Sequence, residues 1–277
     1  MHDGRQEVFE ISARPVSPLR RLVDNALFRR LAILAVLAAI WQAYALFLNN
    51  PLMLPTFADT AGAFYEQMID GRLAERAWVS LQVLSLGYVL GVLLAALLAG
   101  LATLTRIGDD LLTTLTAMFN PLPAIALLPL ALLWLGIGTP SLVFVLVHAV
   151  LWPLALNAHA GFSGISETLR MAGRNYGLRG WRYLVLLFVP AAFPSILTGL
   201  KIAWAFAWRT LIAAELVFGV SSGSGGLGWF IFENKNRLEI ANVFAGLATV
   251  ILIGLVVENV VFRSIERHTV RKWGMQR

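Results

Sequence analysis

The chain has 277 residues, of which 58% are hydrophobic and 14% charged, with a mean hydropathy of +0.73, a formal net charge of +6 and no cysteine. That much apolar surface excludes a single soluble core and places the chain in a bilayer. Without cysteine, disulfides and thiolate metal sites are excluded as well.

Residues 1–28 are polar, lack apolar periodicity and read as a solvated tail. Six apolar segments follow, at about 29–48, 79–104, 111–135, 141–160, 184–218 and 241–262, and a membrane-spanning helix needs roughly 20 such residues. The first is preceded by Arg20, Arg21, Arg29 and Arg30 and has no small-residue cleavage site, so it is a retained helix. The third carries Pro121, Pro123 and Pro129, which are predicted to bend it. Broken backbone is tolerated in a membrane where other helices or water satisfy it, so this segment is expected to line a passage. The fifth is too long for one crossing. Pro190 and Pro194 are expected to break it, leaving about 195–218 to cross. Residues 263–277 form a basic tail. The fold class is an all-α membrane protein with about six transmembrane helices over 29–262.

Positive charge in short loops marks the cytoplasmic side. The N-terminal tail with Arg29 and Arg30 holds six Lys and Arg, residues 105–110 one, 161–183 four and 263–277 five; the alternate loops, 49–78 and 219–240, hold two each. Both termini and the 161–183 loop are therefore expected in the cytoplasm. The excess follows from the bilayer and calls for no nucleic acid, because no aromatic stacking platform accompanies the arginines.

The 161–183 loop is the most specific stretch. Arg170, Arg174, Arg179 and Arg182, with Gly177 and Gly180, stand between two apolar runs. On composition alone it is an ordinary basic loop, but its spacing says more. Met171, Ala172 and Gly173 are followed after three residues by Gly177, and after nine more by Leu187, Val189 and Pro190. This resembles the cytoplasmic loop of permeases of binding-protein-dependent ABC importers, Glu-Ala-Ala, three residues, Gly, nine residues, Ile-x-Leu-Pro. Met171 replaces the acid of that pattern and Gly173 its second alanine. "NPLPAIALLPLALLWLGIG" (120–138), "PAAFPSILTGLKIAWAFAWRTLIAAEL" (190–216), "GLGW" (226–229) and "ERHTVRKWGMQR" (266–277) resemble the nitrate/sulfonate/taurine branch, so that the likeness covers about 75–277.

The resemblance implies a type I ABC importer permease working as a homodimer in a bacterial inner membrane. It also implies a cytoplasmic ABC ATPase dimer that uses ATP and Mg, and a periplasmic or lipid-anchored binding protein that selects the cargo. The chain itself has no G-x-x-x-x-G-K-[ST] and is expected to bind no cofactor or metal. The loop then looks like a coupling helix, with Glu167, Arg170, Met171, Ala172, Gly173, Arg174, Gly177 and Pro190 as the residues coupled to the ATPase. Its low bulk suits entry into a cleft, and its arginines suit an acidic rim. Gly177 is expected at a tight turn or close contact with no room for a side chain.

Lys201 and Arg209 fall inside the fifth span. Between about Thr198 and Phe218, Arg209 lies near mid-bilayer, where a cation costs roughly 3 kcal/mol and must face protein or water. Lys201 can snorkel toward the cytoplasmic end. Lys201, Trp204, Trp208 and Glu215 share a face at 100° per residue, with Arg209 beside it. With Pro121 and Pro123, these five are the candidates for lining the passage. Arg209 has two open readings, a structural pair with Glu215 across helices or subunits and a contact with an anionic cargo. For Trp204 and Trp208 the choice lies between packing and lining. His2, His148, His159 and His268 lack metal-ligand spacing, and His148 and His159 are expected in polar contacts between helices. Gly223, Gly225 and Gly228 match G-x-G-x-x-G only in form, since they lie between membrane helices and read as a turn.

These expectations describe the permease of an ATP-driven importer for a small anion such as nitrate, taurine or another sulfonate. Two alternatives remain at this point: a permease of the same class for a vitamin or pyrimidine precursor, and an ion-coupled secondary transporter relying on Glu215. An enzyme is disfavoured by the lack of any nucleophile–base or metal constellation.

Overall fold

A computed structural model of the protein describes residues 25–218 and 225–271. Residues 1–24 of the N-terminal tail, Gly223 and residues 272–277 of the C-terminal tail lie outside the described residues. The chain divides into two compact units, Met1–Ala58 and Asp59–Arg277.

In the first unit α1 (Ala26–Leu48) forms from alanine, leucine and isoleucine, and between Arg30 and Gln42 it is apolar on all sides, as a lipid-embedded helix must be. The Asn25 side chain caps it by accepting the Leu27 N–H at 2.9 Å. It closes at Asn49 with φ 46°, a left-handed conformation that asparagine tolerates. The chain then folds back, so that Trp41 Nε1 donates to Pro55 O at 3.0 Å and the Ala58 N–H reaches Gln42 Oε1 at 3.1 Å.

The other elements are α2 (Phe57–Ile69), α3 (Arg72–Leu104), α4 (Arg106–Phe119), a tight turn at Ala124–Leu127, α5 (Leu128–Leu135), α6 (Thr139–Ser163), α7 (Glu167–Asn175), α8 (Gly180–Ala191), α9 (Phe193–Phe218), α10 (Leu227–Asn236) and α11 (Ile240–Thr269). Among the described residues five helices are long and apolar enough to cross a membrane, or six if the bent pair around residue 120 is one span. This agrees with the six crossings expected. The sequence did not announce α2 or α10, and α3 begins at Arg72, seven residues before its apolar run, because its polar first turns pack on protein.

α6 is the axis of the second unit, packed along α3 on one side and α9 on the other. Lipid tails are as apolar as leucine, so close van der Waals approach must hold these helices together. Small residues permit it. A Cβ at Gly87 would stand 2.5 Å from Leu146 Cβ, one at Gly91 2.6 Å from Val150 Cβ, and one at Gly199 2.8 Å from Asn157 Cβ. Tyr88 Oη adds a bond to Leu200 O at 2.9 Å, and His159 Nε2 lies 3.0 Å from Asp109 Oδ1, the polar contact expected of it. Gly91→Leu is therefore expected to destabilise the solubilised permease by about 1–3 kcal/mol through overpacking. Thermal melting beside Leu93→Ala, at a position 62% exposed and expected to be neutral, checks this.

The third span breaks more sharply than one bent helix. Its arms, Arg106–Phe119 and Ala124–Leu135, meet at 86°. Neither arm alone reaches across a ~30 Å hydrocarbon core at ~1.5 Å per residue. Pro121 and Pro123 lie in the break, whereas Pro129 starts α5, where its missing N–H costs nothing. The fifth segment divides as expected. α8 loosens into a wider turn at Leu184–Phe188 just before Pro190, which accommodates the proline ring, and α9 begins at Phe193.

Candidate functional site

The break after α4 opens a cleft of about 280 Å3. Residues 120–125 form one wall, α6 supplies His148, Trp152 and Pro153, and α9 supplies Phe206, Arg209 and Thr210. Three of the seven lining candidates, Pro121, Pro123 and Arg209, thus come together. Arg209 Nε donates to Ala205 O at 3.0 Å and the guanidinium lies 5.0 Å over the Phe206 ring. No carboxylate lines the cleft, and none among the described residues pairs with Arg209. His148 and Trp152 were missed as lining residues; their signal was spacing, four apart on one helical face. His148 also departs from expectation, because neither ring nitrogen makes a hydrogen bond.

Among the described residues of this chain Arg209 and Glu215 do not pair. Glu215 is 2% exposed and fully engaged elsewhere. Ser80 Oγ lies 2.9 and 2.8 Å from its two oxygens, and the Gly228 N–H donates to Oε2 at 2.9 Å. Ser80 Oγ in turn accepts the Leu227 N–H at 2.9 Å. Arg76 Nη1 holds Gly225 O at 2.7 Å, and its Nη2 lies 3.7 Å from Glu233 Oε2. α3, α9 and the N-terminus of α10 thereby meet on one buried carboxylate, which the amide dipoles of that helix end favour. A Cβ at Gly226 would fall 2.2 Å from both Glu215 Oε1 and Ser80 Oγ. The described part of the glycine stretch is thus a cradle for Glu215, more than the simple turn expected. Glu215 is a fastener, not a lining group.

Lys201, Trp204 and Trp208 are also turned into the bundle. Lys201 Nζ pairs with Glu266 Oε2 at 2.9 Å, in the last turns of α11. Trp204 stacks on Trp208 with centroids 6.4 Å apart and meets Tyr88 edge-on at 5.6 Å, and Trp208 Nε1 donates to Val250 O at 3.3 Å. Their shared face is real, but it packs α9 against α3 and α11.

The segment expected to couple, about 161–183, holds the end of α6, all of α7, a turn at Gly177 and the start of α8. The Ser166 hydroxyl accepts the Leu169 N–H at 3.4 Å, and Glu167 occupies the first turn of α7, where the helix dipole favours an acid. The helix closes with the Leu178 N–H on Gly173 O at 3.1 Å and the Gly177 N–H on Arg174 O at 2.9 Å. Gly177 has φ +76°, the left-handed position this closure uses. Room is not its constraint, contrary to expectation, because a Cβ there would meet nothing within 4 Å. The close contact is at Gly173, whose Cβ would stand 2.6 Å from Leu187 Cδ1 and 2.8 Å from Tyr183 Cε2. Glycine in place of the pattern's alanine is thereby explained.

Arg170 points inward. Its guanidinium donates to Phe162 O at 3.0 Å, Ser163 O at 3.2 Å and Ile165 O at 3.1 Å, the open carbonyls at the end of α6, and sits 5.4 Å over the Phe188 ring. Tyr183 Oη donates to Arg170 O at 2.9 Å. α7 is thus tied to both flanking helices. Glu167, Met171 and Arg174 remain exposed, while Ala172 and Pro190 are half-buried.

Residues 87–274 match the family model described as binding-protein-dependent transport system inner membrane component. The chain is 30% identical to the taurine transport system permease protein of Escherichia coli, over 87% of each chain. It is 28% identical to a Bacillus subtilis protein named as an aliphatic sulfonates transport permease, over 86% of this chain and 85% of that one. With the nitrate import permease protein of Synechocystis it shares 26% identity over 88% and 90%. The model begins midway along α3 and runs into the C-terminal tail, so the break, the coupling turn and α9 all lie inside the matched region. A multi-pass helical chain that follows transport permeases over most of their length is one of them: this protein belongs to the inner membrane components of binding-protein-dependent transport systems, in the nitrate/sulfonate/taurine branch of the ABC importer permeases.

Proposed function

We propose that the chain forms, with a second copy of itself, the membrane passage of an ATP-driven importer for a small solute bearing an anionic group, such as nitrate, taurine or another sulfonate. A cytoplasmic ABC ATPase dimer would supply ATP hydrolysis with Mg, and a separate binding protein would deliver the cargo. The observation that carries this reading is the cleft, in which no carboxylate among the described residues pairs with the Arg209 cation or competes for it. A lone cation at membrane depth draws an anion in without holding it as tightly as a closed ion-pair network would. The relatives' names point to the same class of cargo. Glu215, the acid on which an ion-coupled mechanism would rely, is consumed by Ser80 and Gly228.

The arginine excess supports a topology with α7 and both termini in the cytoplasm. There the exposed Met171, Arg174 and Glu167 would meet the ATPase, with Ala172, Gly173 and Gly177 shaping the turn and Arg170 and Pro190 joining it to the spans. The test is uptake of labelled taurine and nitrate by cells that lack their own importers and carry this chain with its cognate ATPase and binding protein. Arg209→Gln is expected to lower uptake about tenfold or more with assembly intact, the scale on which steering charges act, while Arg209→Lys retains part of it. A wild-type rate in Arg209→Gln removes Arg209 from the cargo path. Wild-type cells that take up neither anion refute the assignment to anions.

A further inference from the structure

We infer that the cleft is a built binding site for an oxyanion, with the Trp152 indole and the His148 imidazole as its concealed donors and Phe119 as their cover. This rests on the anion reading of the passage and goes beyond it, since a charge that steers needs no partners and a site does.

Trp152 is 7% exposed, and its indole N–H has no acceptor among the described residues. One turn earlier on the same face of α6, both ring nitrogens of His148 are buried without a partner among the described residues. At least one of those nitrogens carries a proton in any tautomer. A buried donor left unpaired is costly, and in a membrane segment no lipid can relieve it. Two such groups four residues apart, both lining one cleft, mark a place where an acceptor arrives from outside the chain.

What would arrive follows from the rest of the lining. Arg209 adds a guanidinium, Thr210 a hydroxyl and Asn120 a carboxamide, and no carboxylate is present. A surface with this surplus of donors fits a ligand with several acceptor oxygens and negative charge, as in nitrate or the sulfonate group of taurine. The volume, about 280 Å3, lies below the usual range for drug-sized ligands and suits a solute of a few heavy atoms. The Phe206 and Trp152 rings offer an apolar wall to a short organic tail.

In the structure these ring nitrogens are buried, and Phe119 packs beside both rings. Phe119 stacks on Trp152 with centroids 5.3 Å apart at 16°, and meets His148 edge-on at 6.4 Å and 86°. Phe119 is the last residue of α4 and immediately precedes the break at Asn120–Pro123. A change in the 86° angle between the arms of this span carries the ring with it. The site therefore holds its anion when the break opens and loses it when Phe119 returns, so one side chain couples the shape of the span to affinity.

The experiment uses the permease purified with its ATPase, without binding protein, and reads retention of labelled taurine and nitrate by equilibrium dialysis, alongside uptake by the complete importer. Phe119→Ala, which removes the cover, is expected to raise retained anion at least tenfold over wild type. Trp152→Phe keeps the ring and removes the N–H; combined with Phe119→Ala it is expected to return retention to the wild-type level, and alone to lower uptake about tenfold. If the double variant retains as much anion as Phe119→Ala, or if Trp152→Phe transports at the wild-type rate, the site is refuted while the anion reading stands. If the wild-type importer takes up neither anion, the anion reading itself fails.

Discussion

Glu215→Ala is expected to cost the permease about 3–5 kcal/mol and most of its yield in the membrane, whereas Arg209→Ala, six residues earlier on the same helix, leaves its stability unchanged. The two charges look alike in the sequence. Glu215 accepts from Ser80 and from the Gly228 N–H and is only 2% exposed. Its removal strands both donors, at about 1–3 kcal/mol each, and leaves the carboxylate's volume empty, which together reach that range. Glu215→Gln keeps the shape but cannot accept at both terminal atoms, and it is expected to lose about 1–3 kcal/mol. Gly226→Ala approaches the severity of Glu215→Ala by the opposite route, because its Cβ would enter the space held by the carboxylate and Ser80 Oγ. Melting of the solubilised protein, followed with membrane yield, reads all four. A Glu215→Ala variant that melts with the wild type would mean that the carboxylate fastens nothing.

This contrast also shows how far the sequence could be read. Lipid demands about 20 apolar residues per crossing, so the spans were visible, and a proline cannot donate, so the breaks at Pro121 and Pro190 were visible too. Helical geometry placed Arg209 and Glu215 on different faces but could not say which face met protein. That answer lies in Ser80, 135 residues upstream, just as the partner of Lys201 is Glu266, 65 residues downstream. Neither distance leaves a local pattern. The turn at Gly177 was readable from spacing because its closure is local, within six residues from Gly173 to Leu178. The inward course of Arg170 was not, since a basic residue in a basic loop looks the same whether it meets a partner or the carbonyls at the end of α6. His148 and Trp152 showed only their interval; that both lack partners is a property of the packed helices.

At Gly177 substitutions are expected to order by backbone conformation and not by size. Gly177→Asn is expected to sustain uptake close to wild type, Gly177→Ala to lower it about tenfold, and Gly177→Val to abolish it. The position has φ +76° with nothing within 4 Å of a built Cβ, so side-chain volume meets no obstacle. What differs is the cost of the left-handed region: roughly 1–2 kcal/mol for an ordinary L-residue, less for asparagine and more for a β-branched one. About 1.4 kcal/mol is a factor of ten in an equilibrium. Asparagine and valine have similar bulk, and alanine is smaller than both. A requirement for room would therefore rank alanine first and leave the other two alike. The turn reverses the chain between α7 and α8, so losing it redirects the exposed side of α7, with Met171 and Arg174, relative to the spans to which Arg170 and Tyr183 tie it. If that side meets the ATPase, Gly177→Val still assembles by its other contacts and hydrolyses ATP without moving cargo. Uptake and ATP hydrolysis measured on the same purified complexes decide the matter: equal uptake in the asparagine and valine variants would show that the left-handed turn does not carry the coupling.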